Sequence, residues 1–180
     1  MISMETFVEV IGYVGTVLFV VSWQSNRRNT ILLTQTLACA AFSVHLYIIQ
    51  AYTGMAVIPV ILIRNILFNR KETSGWANKN YWPWVFIFIF AIATALTWEG
   101  KESLLPFIGT IFGTYALWQD RPARMRLFAL LTVPPWIVYY VIEGSTPGIA
   151  VCVLLTISML VAIIRLDIRP KTSENPTTNN

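Results

Sequence analysis

Residues Leu104–Arg126 read LLPFIGTIFGTYALWQDRPARMR, and residues Ile11–Arg28 read IGYVGTVLFVVSWQSNRR. Both stretches place small residues early (Gly15-Thr16 and Gly109-Thr110), reach a Trp-Gln pair (Trp23-Gln24 and Trp118-Gln119) and end in arginines. The Gly-Thr pairs are 94 residues apart and the Trp-Gln pairs 95. Further along, Gly54-Met55-Ala56-Val57 is answered by Gly148-Ile149-Ala150-Val151, again 94 apart. Self-similarity at a fixed period marks a duplicated unit, so the chain reads as two copies of one unit.

Hydrophobic residues make up 56% of the 180 and charged residues 12%, about half the charge of a soluble domain. The apolar residues fall in long runs, and a run of about 20 crosses a bilayer. The chain therefore reads as an all-α, polytopic membrane protein. The polar stretch 69–81 is too short for a soluble domain. A net charge of +4 could mean nucleic acid, but the charges stand at the ends of apolar runs, where orientation signals belong, so no nucleic-acid partner is expected. Cys39 and Cys152 lie inside apolar runs in different halves and read as buried small residues. Neither a disulfide framework nor a metal-ligand spacing is present, and no cofactor is expected. Residues 1–9 carry two acids and no base, unlike the basic start of a cleavable signal, so the first span is expected to stay.

Seven spans follow: Phe7–Trp23, Ile31–Gln50, Gly54–Phe68, Trp82–Trp98, Leu104–Gln119, Arg126–Val141 and Pro147–Leu166. If the N-terminus is outside, Lys101 alone of the 13 lysines and arginines falls on the outer side. That asymmetry supports both the count and an N-out, C-in orientation. Three spans carry a repeat from outside to inside, so one extra span must return the chain before a second copy can run parallel to the first. The architecture expected is 3+1+3: residues 1–70 as the first three-helix repeat, 71–102 as loop and linker helix, 103–168 as the second repeat and 169–180 as a disordered cytoplasmic tail. Parallel repeats about an axis along the membrane normal occur among transporters.

The run Leu104–Thr110 with Ala116-Leu117 after it, Ser43-Val44-His45, Arg64 and Ile163-Ile164-Arg165 together resemble the bacterial inner-membrane family YgjV. That resemblance covers most of the chain, implies a multi-pass inner-membrane location and brings no known activity. The architecture also resembles the PQ-loop and SWEET sugar-transporter fold, which implies parallel three-helix bundles joined by a seventh helix, N-out and C-in. In that group a Pro-Gln pair hinges the first helix. Here Trp-Gln stands at both positions, which puts the same hinge in doubt.

An ionisable side chain inside a span is a functional candidate by default. His45, the only histidine, could hold a substrate hydroxyl, an anion or a proton, or be a neutral ring bonded to a neighbouring helix. Its counterpart 94 residues on is Tyr139, and Phe42 is answered by Trp136. Residues three apart share a helix face, so Phe42, His45, Trp136 and Tyr139 form the expected substrate site between the repeats. Pro59, Pro134 and Pro135 lie mid-span, where proline bends a helix, with the Pro134-Pro135 pair breaking span 6. They read as hinges, and Trp23, Gln24 and Gln119 join them as inner-end elements. Arg64 and Asn65 either reach the headgroups or form an inner gate or anion contact. Gln35, one turn deeper, could bond across helices. Gly12, Gly15, Gly109 and Gly113 read as packing surfaces.

Three functions compete. A small-molecule transporter, working by alternating access without ion coupling, requires a polar-aromatic cavity. A non-transporting scaffold or sensor requires a packed centre with His45 bonded inside it. An intramembrane enzyme lacks a Ser/His/Asp set, a metal cluster or a carboxylate pair, so no enzyme is expected. The partners expected are the lipid bilayer, a small-molecule substrate and, as a candidate, a second copy of the chain.

Overall fold

The structure, a computed structural model, describes residues 4–168. The tail 169–180, expected to be disordered, lies outside the described residues. All regular structure within them is helical. The helices are α1 (Met4–Ser22), α2 (Arg28–Ile48), α3 (Tyr52–Asn69), α4 (Trp82–Leu96), α5 (Leu104–Trp118), α6 (Pro122–Ala129), α7 (Val133–Ile142) and α8 (Thr146–Ala162). A 3-10 turn precedes α5, another (Leu130–Thr132) joins α6 to α7, and a π turn (Ile163–Ile168) ends α8.

Four helical runs are long and apolar enough to cross a membrane: α2, α3, α6 with α7 (Pro122–Ile142), and α8 with its π turn (Thr146–Ile168). Residues Thr6–Ser22 and α4 form shorter apolar helices, and α5 has 15 residues. At 1.5 Å per residue, 15 residues rise about 22 Å, against a hydrocarbon core of about 30 Å. Exposed apolar side chains run along the outer faces, among them Val17, Leu37, Phe88, Leu96, Leu127 and Ile157, as a lipid-facing surface requires.

The local physics explains the breaks. Proline lacks an N–H and is tolerated in the first helical turn. Pro134 and Pro135 accordingly stand in the first turn of α7, and the 3-10 turn before them joins it to α6 within one helical run. Pro59 stays inside α3 on an exposed face, and the helix runs through it. Left-handed backbone closes α2 at Gln50 (φ 59°) and α7 at Gly144 (φ 65°).

Those two closures share one bond pattern at a spacing of 94. Ala51 N–H bonds Leu46 O and Ser145 N–H bonds Tyr140 O; Met55 N–H bonds Ala51 O and Ile149 N–H bonds Ser145 O. At the other end, Ile31 N–H bonds Arg27 O and Met125 N–H bonds Arg121 O. The close approaches recur as well. A Cβ on Gly15 would stand 2.6 Å from the Phe42 ring, and one on Gly109 would stand 2.5 Å from Trp136 Nε1. The helices exchange neighbours in the same manner: α1 packs on α2 and α8, while α5 packs on α6, α7 and α3. α4 lies against α3 and α5. The core runs along the seam, through Phe42, Leu46, Val57, Tyr139, Tyr140 and Val151.

Candidate functional site

Buried arginines tie one end of the bundle. The last carbonyls of a helix lack intrahelical partners and carry partial negative charge, so cations are favourable there. Arg126, fully buried on α6, donates to Trp23 O at 3.1 Å and Ser25 O at 2.7 Å beyond the end of α1, and to Asp167 at 2.6 Å. Arg28, buried at the start of α2, donates to Leu117 O and Gln119 O at the end of α5, both at 3.3 Å. Each arginine holds the first helix of the opposite half. Two cations 94 apart complete the end: Arg165 donates to Gln24 Oε1 at 3.1 Å, and Lys71 to Trp118 O at 2.8 Å and Asp120 at 2.6 Å. Sequence reading took these charges as orientation signals. Four of them are also structural ties.

The inner-end residues singled out from sequence divide here. Trp23 is buried and its carbonyl takes Arg126, while its Nε1 has no partner. Gln24 bridges α1 to α8 through Ser158 Oγ at 2.7 Å and Ser158 O at 2.9 Å. The Gln119 side chain bonds Tyr115 O of its own helix, while its backbone carbonyl takes Arg28.

Rings close the opposite end. His45 faces Val8 O (3.2 Å from Nδ1) and Ser145 Oγ (2.9 Å from Nε2). Ser145 caps α8 by accepting the Gly148 N–H at 3.2 Å. Tyr139 does the same work directly on α3, its hydroxyl accepting the Gly54 N–H at 2.9 Å. Both rings are almost wholly buried, and each ties the second helix of one half to the start of the third helix of the other. His45 also borders a cleft of about 360 Å³ at this end, with Glu9, Ser145 and Pro147.

Between the two ends lies a cavity of about 120 Å³. Every helix but α4 contributes to it, together with Trp23 and Thr132 beyond helix ends. Many lining residues are partners at the spacing of 94: Gln35 with Ala129, Ile58 with Cys152, Ile61 with Leu155 and, outside the span cores, Trp23 with Leu117. The cavity therefore straddles the seam. Of the four residues expected to form a substrate site, Trp136 alone lines it. Phe42 is packed against Phe19, His45 and Tyr140, and His45 and Tyr139 serve the closed end. Tyr140, one residue past Tyr139, lines the cavity instead and stacks on Trp136 at 5.3 Å.

The polar groups lining the cavity come from both halves, Gln35 and Arg64 from the first and Trp136 and Tyr140 from the second. Gln35 on α2 is 4% exposed, and among the described residues its amide, the Tyr140 hydroxyl and Trp136 Nε1 have no hydrogen-bond partner. Arg64 on α3 is 3% exposed. Its Nη1 donates to Thr114 Oγ1 at 2.9 Å and its Nη2 to Asn65 Oδ1 at 2.9 Å. Phe68 and Phe90 lie about its guanidinium, with centroids at 6.0 and 5.8 Å. None of the ion pairs among the described residues involves Arg64. The sequence had Arg64 and Asn65 as a headgroup pair or as an inner gate or anion contact, and in the structure Arg64 is buried and lines the cavity. Gln35 was singled out only for bonding across helices, because nothing local distinguishes a cavity-facing glutamine from a helix-bridging one. No group of three or more metal-ligating side chains occurs among the described residues.

An all-helical chain with several apolar membrane-length helices, lipid-type outer faces and its polar groups turned inward is a multi-pass membrane protein. The chain belongs to the bacterial inner membrane protein family Imp-YgjV, whose model matches residues 6–169. Neither the curated proteins nor the solved structures hold a match to it.

Proposed function

We propose that this inner-membrane protein is a small-molecule carrier that works by alternating access, with its substrate held in the cavity between two parallel three-helix repeats. The observation that carries this reading is the cavity on the seam, lined by Gln35, Arg64, Trp136 and Tyr140, beside which the Gln35 amide and the buried Trp23 Nε1 find no side-chain partner among the described residues. Buried polar groups are normally satisfied, so unused donors converging on a cavity point to an occupant. The seven-span 3+1+3 arrangement, with α4 as linker, the N-terminus outside and the C-terminus in the cytoplasm, fits the bond patterns that recur at a spacing of 94. It is the arrangement of the PQ-loop and SWEET group, and Trp23, Gln24 and Gln119 take the place of its Pro-Gln hinges. In this reading the arginine ties and the ring ties are the two gates, and the 3-10 turn before Pro134-Pro135 is the flexible joint. No buried carboxylate lines the cavity, which favours facilitated diffusion over ion coupling, and no catalytic set accompanies it.

One observation favours a second reading, a scaffold or sensor module that binds protein partners, including another copy of itself. His45 and Tyr139 are both fully engaged in holding helices together. A thermal-stability screen of detergent-purified protein against a broad metabolite panel separates the two. A ligand at 100 times its dissociation constant adds about 2.7 kcal/mol to the folded state. A hit that disappears in Gln35→Leu supports the carrier, and no hit across the panel supports the scaffold.

A further inference from the structure

We propose that the cavity selects a small organic monoanion, a short monocarboxylate, with the carboxylate on Arg64 and the carbon end against the wall of Trp136, Val151 and Leu155. This rests on the reading of the cavity as a binding site. Burying a charge is costly unless it is paired, yet Arg64 is 3% exposed and its bonds go to neutral oxygens of Thr114 and Asn65. A guanidinium carries five N–H donors, and one hydrogen on each terminal nitrogen remains for a ligand. Two such N–H groups match the two oxygens of a carboxylate. Neutral oxygens and two aromatic rings orient the guanidinium, and no ion pair among the described residues neutralises it, as a site for an incoming anion requires.

Charge, size and wall chemistry narrow the class. One guanidinium compensates one negative charge. No Asp or Glu lines the cavity to receive an ammonium, which disfavours zwitterionic amino acids. The volume of about 120 Å³ is close to the roughly 150 Å³ that houses benzene in an apolar interior, so the ligand has on the order of six heavy atoms. The asymmetry is built into the repeats. Arg64 is answered by Ser158, which bonds Val20 O, and Gln35 by Ala129. At these two positions the first half offers Arg64 and Gln35 and the second offers neither a charge nor an amide, so the carboxylate binds on the first half.

The test uses the full chain in proteoliposomes at pH 7.5, with protein-free liposomes as control, and measures counterflow of labelled pyruvate and labelled glucose. Saturable pyruvate binding is followed in parallel by tryptophan fluorescence, since Trp136 and Trp23 line the cavity. The expected result is pyruvate flux without glucose flux. Removing a charged hydrogen-bond partner weakens binding by about tenfold to a hundredfold, so Arg64→Gln should abolish both signals, and Gln35→Leu should weaken them while leaving the charge in place. Glucose flux with no pyruvate binding overturns the monocarboxylate inference and leaves the carrier standing. Pyruvate binding that Arg64→Gln removes, without flux of either solute, overturns the carrier and leaves the anion site standing. No binding of pyruvate by the wild type overturns the inference whatever the variants do.

Discussion

The hydroxyl of Tyr139 accepts the backbone N–H of Gly54 at 2.9 Å, capping the start of α3 from a helix of the other half. The equivalent N–H, that of Gly148, is capped by Ser145 Oγ, behind which stands His45 Nε2 at 2.9 Å. Tyr139 and His45 thus perform one task at positions 94 apart, one directly and one through a serine. The polarity of both rings is explained by helix ends that need acceptors.

Tyr139→Phe removes the acceptor and leaves the Gly54 N–H buried. An orphaned buried donor costs about 1–3 kcal/mol, so thermal denaturation of the variant in detergent should occur at a lower temperature while the helical signal is kept. An unchanged midpoint would show that the cap contributes nothing.

Gly109 and Gly113 share a GxxxG spacing but differ in what surrounds them. A Cβ at Gly109 would meet Trp136 Nε1 at 2.5 Å, whereas at Gly113 nothing lies closer than 3.6 Å. Overpacking of this kind costs about 1–3 kcal/mol. Gly109→Ala should destabilise the protein and disturb the cavity wall, and Gly113→Ala should be tolerated. Equal melting points for the two variants would contradict the packing described here.

Much of this was legible in the sequence. The Gly-Thr and Trp-Gln echoes led to an offset at which backbone bonds, glycine contacts and cavity-lining pairs recur. The helix-forming runs were placed within a few residues, because long apolar stretches leave little ambiguity. The site was legible only in part. Trp136 was found through its pairing with Phe42, but His45 and Tyr139 look the same in sequence whether they line a cavity or cap a helix. Tyr140 was missed because its neighbour carried the pairing argument. Arg28, Lys71 and Arg126 read as orientation charges at span ends, since a cation bonding a distant carbonyl leaves no local pattern.

Gln50 holds φ 59° where its counterpart is Gly144 at φ 65°. Left-handed backbone costs a non-glycine residue about 1–2 kcal/mol, and glycine is the usual occupant where a helix closes this way. Gln50→Gly should therefore raise the melting temperature without affecting ligand binding. A lower melting temperature would mean that the glutamine side chain contributes more than the strain costs.

Glu143, just past the end of α7, has its carboxyl held above the usual carboxylate range, by burial foremost and by the negative charge of Glu99 next. A raised folded-state value means the folded chain binds the proton more tightly than the unfolded chain. The stability this group contributes is present below the unfolded value and is lost as pH rises through the folded one. Glu143→Gln should thus be more stable than wild type at neutral pH, with the difference vanishing in acid. Melting curves from pH 3 to pH 8 check this, and a difference that grows toward acid would contradict it.

Cys152 lines the cavity and Cys39 is buried away from it, so the native thiol is a reporter of access. In a Cys39→Ala background, a membrane-impermeant thiol reagent is applied to right-side-out and to inside-out vesicles. Alternating access predicts that Cys152 reacts from both faces, and that a cavity ligand slows both reactions. Reaction from neither face or from one only, with full labelling after denaturation, would contradict a carrier built around this cavity.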